Sequence, residues 1–303
     1  MLLKLGELAR QRRLVTVEVI PDRVTKEDLS SLNGRVDAIT IPALRNGNHD
    51  SSYPVTFNVS PQQRSLASAV LTRGAGIETV PTLTCRDCRE EDVVKVQGLL
   101  LKGLENILVL YGDPFSDRER DKYEFAKTAD LIRRVVDSAN GKRPSIGATT
   151  NQYAQDTESE VLRALTKVEA GADFVITNMS FDSEKVLDHR DALLSAGLNV
   201  PLFIQVSIPA SLNNIVYVTQ KFGIPLPAPV MRRLSADGLQ VGVELAGEAF
   251  EKLEDEAEGI HFSYLLRRKS PVTAYLRLLD RIGRRRTVLA APVLDIPGQV
   301  LGS

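Results

Sequence analysis

The stretch TESEVLRALTKVEAGADFVIT, residues 157–177, contains a complete helix-to-strand unit. Thr157-Glu158-Ser159-Glu160 supplies cap-like and acidic residues, Glu158 to Ala170 follows a helical period, and Gly171 is the stop. Ala172-Asp173 then leads directly into the apolar run Phe174 to Thr177. The same unit recurs in both directions along the chain. Further strands are expected at Val15 to Ile20, Ala38 to Ile41, Glu78 to Thr84, Asn106 to Leu110, Pro144 to Ala148, Leu202 to Val206 and Gly259 to Ser263. They are mostly apolar without strict alternation, the pattern of parallel strands covered on both faces by helices. Amphipathic segments lie between them at Gln62 to Thr72, Glu91 to Leu101, Glu124 to Val136 and Ser183 to Ala196.

About eight strands, each followed by a helix, predict an α/β fold of the (β/α)8 TIM-barrel type. An open doubly wound sheet would carry a glycine-rich turn after its first strand, and Pro21-Asp22-Arg23 stands there instead. Val216 to Glu256 is too long for one barrel helix, so extra helices are expected before the last strand. The amphipathic start, Leu2 to Leu8, is expected to pack as a helix under the barrel. With no linker or repeat, residues 1–303 read as a single domain.

Lys+Arg 38 against Asp+Glu 39 leaves a net charge of -1, which lacks the basic footprint of a nucleic-acid binder. No apolar run approaches the roughly 18 residues of a membrane span. The amino terminus lacks the continuous apolar core of a secretory signal, and two cysteines without a disulfide framework suit a reducing cytoplasm. A cytoplasmic monomer or small homo-oligomer is the expectation. Cys85 and Cys88 form one Cys-x-x-Cys, which lacks the two further ligands of a structural zinc site, so no metal is expected. Arg284-Arg285-Arg286 reads as a solvated helix end or a phosphate contact.

Barrel active sites lie at the carboxyl ends of the strands. The polar residues there are Glu18, Thr40, Thr82, Thr84, Asp113, Thr149 to Asn151, Asn178, Gln205, His261 and Tyr264. Glu18 sits within Thr16-Val17-Glu18-Val19-Ile20, where burial raises a carboxyl's pKa and suits it to proton donation. A core glutamate paired with a basic partner is the alternative. Asp113 follows strand four and reads equally as a turn residue.

Several segments together resemble the methylenetetrahydrofolate reductase family. Val17-Glu18-Val19-Ile20-Pro21 is similar to its opening strand, and Pro81-Thr82-Leu83-Thr84-Cys85 to its third. Asn106 to Asp113 resembles the strand ending in arginine, glycine and aspartate. Gly171 to Asn178 with Phe181-Asp182 resembles the sixth-strand signature, and Ile260-His261-Phe262 the last strand. The resemblance implies reduction of methylenetetrahydrofolate to methyltetrahydrofolate, with Glu18 as general acid and Asp113 close to the pterin and cofactor. Asn178 stands where the family has a pterin-binding glutamine.

The departures fall on the flavin contacts. Thr82 replaces a histidine, Tyr111 an arginine, Lys127 a tyrosine and Thr166 an arginine, while Glu160 and Lys167 are retained. Thr149-Thr150-Asn151-Gln152 lacks an expected histidine. Losing these contacts weakens pyrophosphate and ring binding, so bound FAD is doubtful. The chain looks like a flavin-free branch in which NADH or NADPH passes hydride directly to the substrate. Expected substrate contacts are Asn178, Gln205, His261 and Tyr264, with His261 readable also as a core histidine and Tyr264 as a half-buried tyrosine. Expected cofactor contacts are Thr40, Thr82, Thr84, Tyr111, Gly112, Thr149 and Lys167. An FAD-dependent reductase, a barrel using another reduced pterin and a non-catalytic folate-binding regulatory barrel are the alternatives.

Overall fold

A computed structural model describes residues 4–20, 24–43, 61–112, 123–139, 141–234, 238–264 and 271–284. Eight parallel strands close into a barrel in chain order: β1 (Leu14–Glu18), β2 (Ala38–Ile41), β3 (Thr79–Thr84), β4 (Asn106–Leu110), β5 (Ser145–Thr150), β6 (Phe174–Thr177), β7 (Leu202–Ile208) and β8 (Gly259–Tyr264). The helices are α1 (Leu5–Ala9), α2 (Lys26–Leu32), α3 (Pro61–Arg73), α4 (Glu90–Leu101), α5 (Thr128–Asp137), α6 (Thr157–Glu169), α7 (Ser183–Ser195), α8 (Leu212–Phe222), α9 (Ala228–Leu234), α10 (Gly238–Leu253) and α11 (Val272–Arg281). This is the expected (β/α)8 barrel, and α8 to α10 are the extra helices before the last strand.

The short α1 stops the bottom of the barrel. Its first amides lack intrahelical partners, and the barrel supplies them: Leu5 N donates to Asn106 Oδ1 at 2.8 Å and Gly6 N to Ser145 Oγ at 3.0 Å. Leu5 and Ala9 pack with Leu14, Phe174 and Phe203 in the lower lumen. The rings of Phe174 and Phe203 lie 5.1 Å apart, centroid to centroid. They fit because two strand positions have no side chain. A Cβ on Gly147 would come within 2.5 Å of Phe174, and one on Gly259 within 2.3 Å of Phe203.

The strand register fixes what lies above them. Following inward-facing partners round the barrel gives three stacked layers in the middle of the lumen, drawn alternately from odd and even strands as barrel closure requires. The lowest holds Thr16, Val80, Gly147 and Phe203, and the next holds Thr40, Leu108, Ile176 and His261. The third holds Glu18, Thr82, Thr149 and Gln205, and inward-facing Thr84, Leu110, Ser207 and Ser263 lie farther towards the mouth. The lumen therefore changes from aromatic at the base to mainly polar towards the C-terminal mouth, where Leu110 is an apolar exception.

Strand and helix ends moved where backbone hydrogen bonding decided them. β1 ends at Glu18 instead of Ile20, three residues before Pro21. β5 starts at Ser145, after Pro144, and runs on through Thr150. Pro144 has no N–H to contribute to a ladder. β7 and β8 extend to Ile208 and Tyr264, and α5 begins at Thr128 where Glu124 was expected. No helix among the described residues is long and apolar enough to cross a membrane.

Candidate active site

Glu18 is the one ionisable side chain of the upper layer. Its carboxyl has no basic partner among the described residues, and burial alone pushes its pKa up from 4.5 to about 7. Of the two readings that the sequence left open, the paired core glutamate is therefore not what these residues form. Glu18 as a whole residue is part-buried at the end of β1. Its backbone is held from outside, where the buried Tyr275 hydroxyl of α11 donates to Glu18 O at 2.6 Å. The arrangement is a fixed carboxyl, protonated over much of the neutral range, on an otherwise uncharged polar ring.

One layer down, His261 is fully enclosed. Nδ1 lies 2.9 Å from Thr16 Oγ1 and Nε2 lies 3.5 Å from Thr40 Oγ1. Burial lowers its pKa to about 4, so the imidazole is neutral at pH 7. His261 and Thr40 thus form a floor beneath Glu18, beside the apolar Leu108 and Ile176, and leave the local field without a cation. Gln205 closes the ring near β8, its Nε2 donating to Ser263 Oγ at 3.0 Å.

At the rim, Asn178 is tied into its own loop. Gln152 grips its backbone, accepting from Asn178 N at 3.0 Å and donating to Asn178 O at 2.7 Å. The side-chain Oδ1 of Asn178 accepts from Met179 N at 2.8 Å, and Nδ2 donates to Asn151 Oδ1 at 3.2 Å. Thr84 is likewise engaged, donating to Asp87 Oδ2 at 3.1 Å, with Arg86 on the same carboxylate. Gly112, at a φ of 81°, lets the end of β4 approach Thr84 and Arg86, since a Cβ there would lie 3.0 Å from Arg86 Cβ. Tyr111 is 36% exposed, its ring 5.6 Å from that of Tyr123.

Two expected contacts lie off the lumen. Tyr264 belongs to the outer core, packed with the helix shell, because alternation along β8 turns it away from the face that carries His261 and Ser263. Lys167 lies behind the wall on α6, where Nζ donates to Thr149 O at 2.7 Å and burial lowers its pKa. Glu160 beside it accepts from Asn151 N, Thr150 Oγ1 and Arg163 Nε. Asp113 lies outside the described residues. Cys85 and Cys88 are buried thiols, both pushed up by burial, and no group of three metal-ligating side chains occurs among the described residues.

The sequence missed Ser207 and Ser263, whose hydroxyls lie 2.8 Å apart on the mouth side of Gln205. Two-residue spacing from Gln205 and from His261 was the available signal. It also missed the clamp residues Gln62 and Gln152, whose side-chain amides bond to the backbones of Thr82 and Thr84 and of Asn178. Two surface cavities, of about 300 Å³ and 110 Å³, open at the opposite end of the barrel. There Arg13 pairs with Asp255, Arg190 with Glu256 and Arg143 with Asp173, while Arg10, which lines both cavities, donates to Asn199 O at 3.0 Å.

A polar layer with a raised carboxyl towards the C-terminal mouth makes this the candidate active end of the barrel. The model of the methylenetetrahydrofolate reductase family matches residues 7–279, and the chain belongs to that family. Methylenetetrahydrofolate reductase 1 of Schizosaccharomyces pombe is 26% identical over 234 residues, 72% of this chain and 38% of that protein. The 5,10-methylenetetrahydrofolate reductase of Salmonella typhimurium is 27% identical over 154 residues, 49% of this chain and 51% of that enzyme. The chain thus aligns with about half or less of these relatives' length. Among solved structures, a Clostridium thermocellum protein that binds two copies of 5-methyl-5,6,7,8-tetrahydrofolic acid shares the fold, with a TM-score of 0.63 and 15% identity. That likeness covers 92% of this chain and 98% of the other.

Proposed function

We propose that this chain reduces methylenetetrahydrofolate to methyltetrahydrofolate, taking hydride directly from NADH or NADPH without a bound flavin. The observation that carries the reading is Glu18, a carboxyl without a basic partner among the described residues and with a pKa of about 7, in the polar upper part of the lumen. Opening the five-membered ring of the substrate requires a proton on the departing nitrogen and leaves an iminium cation. Glu18 gives that proton, and its carboxylate then lies beside the new positive charge. Hydride from the dihydronicotinamide reduces the cation to the methyl group. Solvent at the mouth returns the proton to Glu18.

The flavin question turns on which donors remain open. Lys167 and Glu160 stand where the family resemblance puts flavin contacts, yet both are committed to the barrel's backbone and to Arg163. Thr82 and Tyr111 replace an imidazole and a guanidinium. This set does not fit a tightly held dinucleotide flavin, and no step here depends on one. A nicotinamide needs only to be stacked and oriented against the pterin, for which the exposed Tyr111 ring offers a face.

The test is a purified protein assayed without air. A colourless protein that oxidises NADH or NADPH only when methylenetetrahydrofolate is present is the expected result. Stoichiometric FAD would overturn the flavin-free part and leave the reductase reading standing. Folate binding with no nicotinamide oxidation would favour the non-catalytic regulatory barrel instead.

A further inference from the structure

We infer that His189 is a positioning residue, which holds the end of β5 from behind the barrel wall through Thr150 and Glu160 and so sets Thr149 and Asn151 on the site side. The inference rests on the reductase reading above. It adds no contact with substrate and names what keeps one part of the site in place.

Alternation along β5 puts Thr149 in the lumen and turns Thr150 out towards the helices. The faces that α6 and α7 bury carry the apolar Val161, Ala164 and Val186 together with Glu160 and His189. His189 is 3% exposed, and its Nε2 lies 2.8 Å from Thr150 Oγ1. The same hydroxyl donates to Glu160 Oε1 at 3.3 Å, and that oxygen also accepts from Asn151 N at 3.0 Å. Arg163 Nε donates to the other carboxylate oxygen at 2.9 Å. With Lys167 on Thr149 O, three consecutive residues are gripped from the helix side. Asn151 passes the hold on, since its Oδ1 accepts from Tyr153 N at 3.0 Å and from Nδ2 of Asn178, where the family resemblance puts a substrate contact.

What each atom can do sets the direction of these bonds. A carboxylate oxygen only accepts, so the single proton of Thr150 Oγ1 goes to Glu160 and the hydroxyl accepts from His189. Nε2 therefore carries the ring proton. Nδ1 agrees, being buried with no hydrogen-bond partner among the described residues, which costs less for a bare lone pair than for an N–H. Burial lowers the His189 pKa, against the pull of Glu160, and so favours the neutral ring. An imidazole with one nitrogen unsatisfied is a poor filler for this shell, because an apolar side chain carries no such cost. What the imidazole adds is the donor that fixes the Thr150 hydroxyl, and through it the carboxylate on the Asn151 amide.

The experiment pairs NMR of the full chain without ligands with steady-state kinetics. Two-bond proton–nitrogen correlations should show His189 as the neutral Nε2–H tautomer at pH 7, a result read on the unaltered chain. His189→Leu removes the donor. It is expected to speed exchange of the Asn151 amide about 3- to 10-fold and to raise the folate KM by a similar factor, with KM for NADH within about twofold of wild type. His189→Gln returns an N–H near the place of Nε2 and is expected to restore both. Thr150→Val interrupts the same relay, so joining it to His189→Leu should do no more than the worse single change. An Nδ1–H tautomer, no restoration by glutamine, additive effects of the two changes, or a folate KM that stays put or rises equally with that for NADH overturns the inference. A wild-type chain that does not reduce methylenetetrahydrofolate overturns the reductase reading instead, and the tautomer and the amide exchange still decide whether His189 holds β5.

Discussion

Replacing Glu18 by glutamine should make the protein more stable at alkaline pH while removing its activity. The free carboxyl in an unfolded chain titrates near 4.5, and burial at the barrel mouth moves it to about 7. Between those values the folded state holds a proton that the unfolded state has released. Stability therefore falls as pH rises from about 4.5 through about 7, and it stays low above. Each tenfold change in acidity is worth about 1.4 kcal/mol, so the ionised carboxyl costs the fold roughly 1–3 kcal/mol once screening by solvent at the mouth is allowed for. The glutamine is uncharged throughout and escapes this cost. Urea unfolding of both proteins at pH 4 and pH 9 measures it, since a shift in midpoint at constant slope is a shift in stability. The stability difference between variant and wild type should be larger at pH 9 than at pH 4 by roughly 1–3 kcal/mol. The same difference at both pH values would refute a desolvated carboxyl at position 18.

Three further outcomes follow from the same coordinates. Turnover should decline as pH rises through about 7, because the acid must be protonated to act, and Glu18→Gln should lose roughly 10²–10⁴-fold in kcat while keeping its circular dichroism spectrum. Gly259→Ala should lower the urea midpoint by about 1–3 kcal/mol of stability, since the new methyl would press to within 2.3 Å of the Phe203 ring. Lys167→Met should leave KM for NADH within about twofold of wild type, because the ammonium is committed to Thr149 O in the wall; a tenfold rise would show it reaching the nucleotide.

The alternation of apolar runs with Gly-ended helices made the barrel legible, because both signals are local. Glu18 was legible for a related reason: a carboxylate in an otherwise apolar strand is an anomaly that burial must resolve through its pKa. What sequence does not carry is the side of the wall on which a residue falls near a strand's end. Tyr264 follows Ser263 by one position and therefore faces the helices. Lys167 is on a helix whose lumen side is the back of β5, and it caps Thr149 from there. Asn178 stands where the family resemblance puts a substrate contact, and the sequence does not reveal that Met179 N and Asn151 also bond to its amide. Whether a polar group is open or engaged depends on tertiary hydrogen bonds.

Direct hydride transfer is tested most sharply by isotope tracing. Turnover with 4,4-dideuterated NADH in ordinary water should place one deuterium in the methyl group of every methyltetrahydrofolate formed, since no exchangeable carrier intervenes between nicotinamide and cation. Methyl groups carrying solvent hydrogen would show that the hydride first rested on an exchanging centre such as a reduced flavin, and would contradict the account.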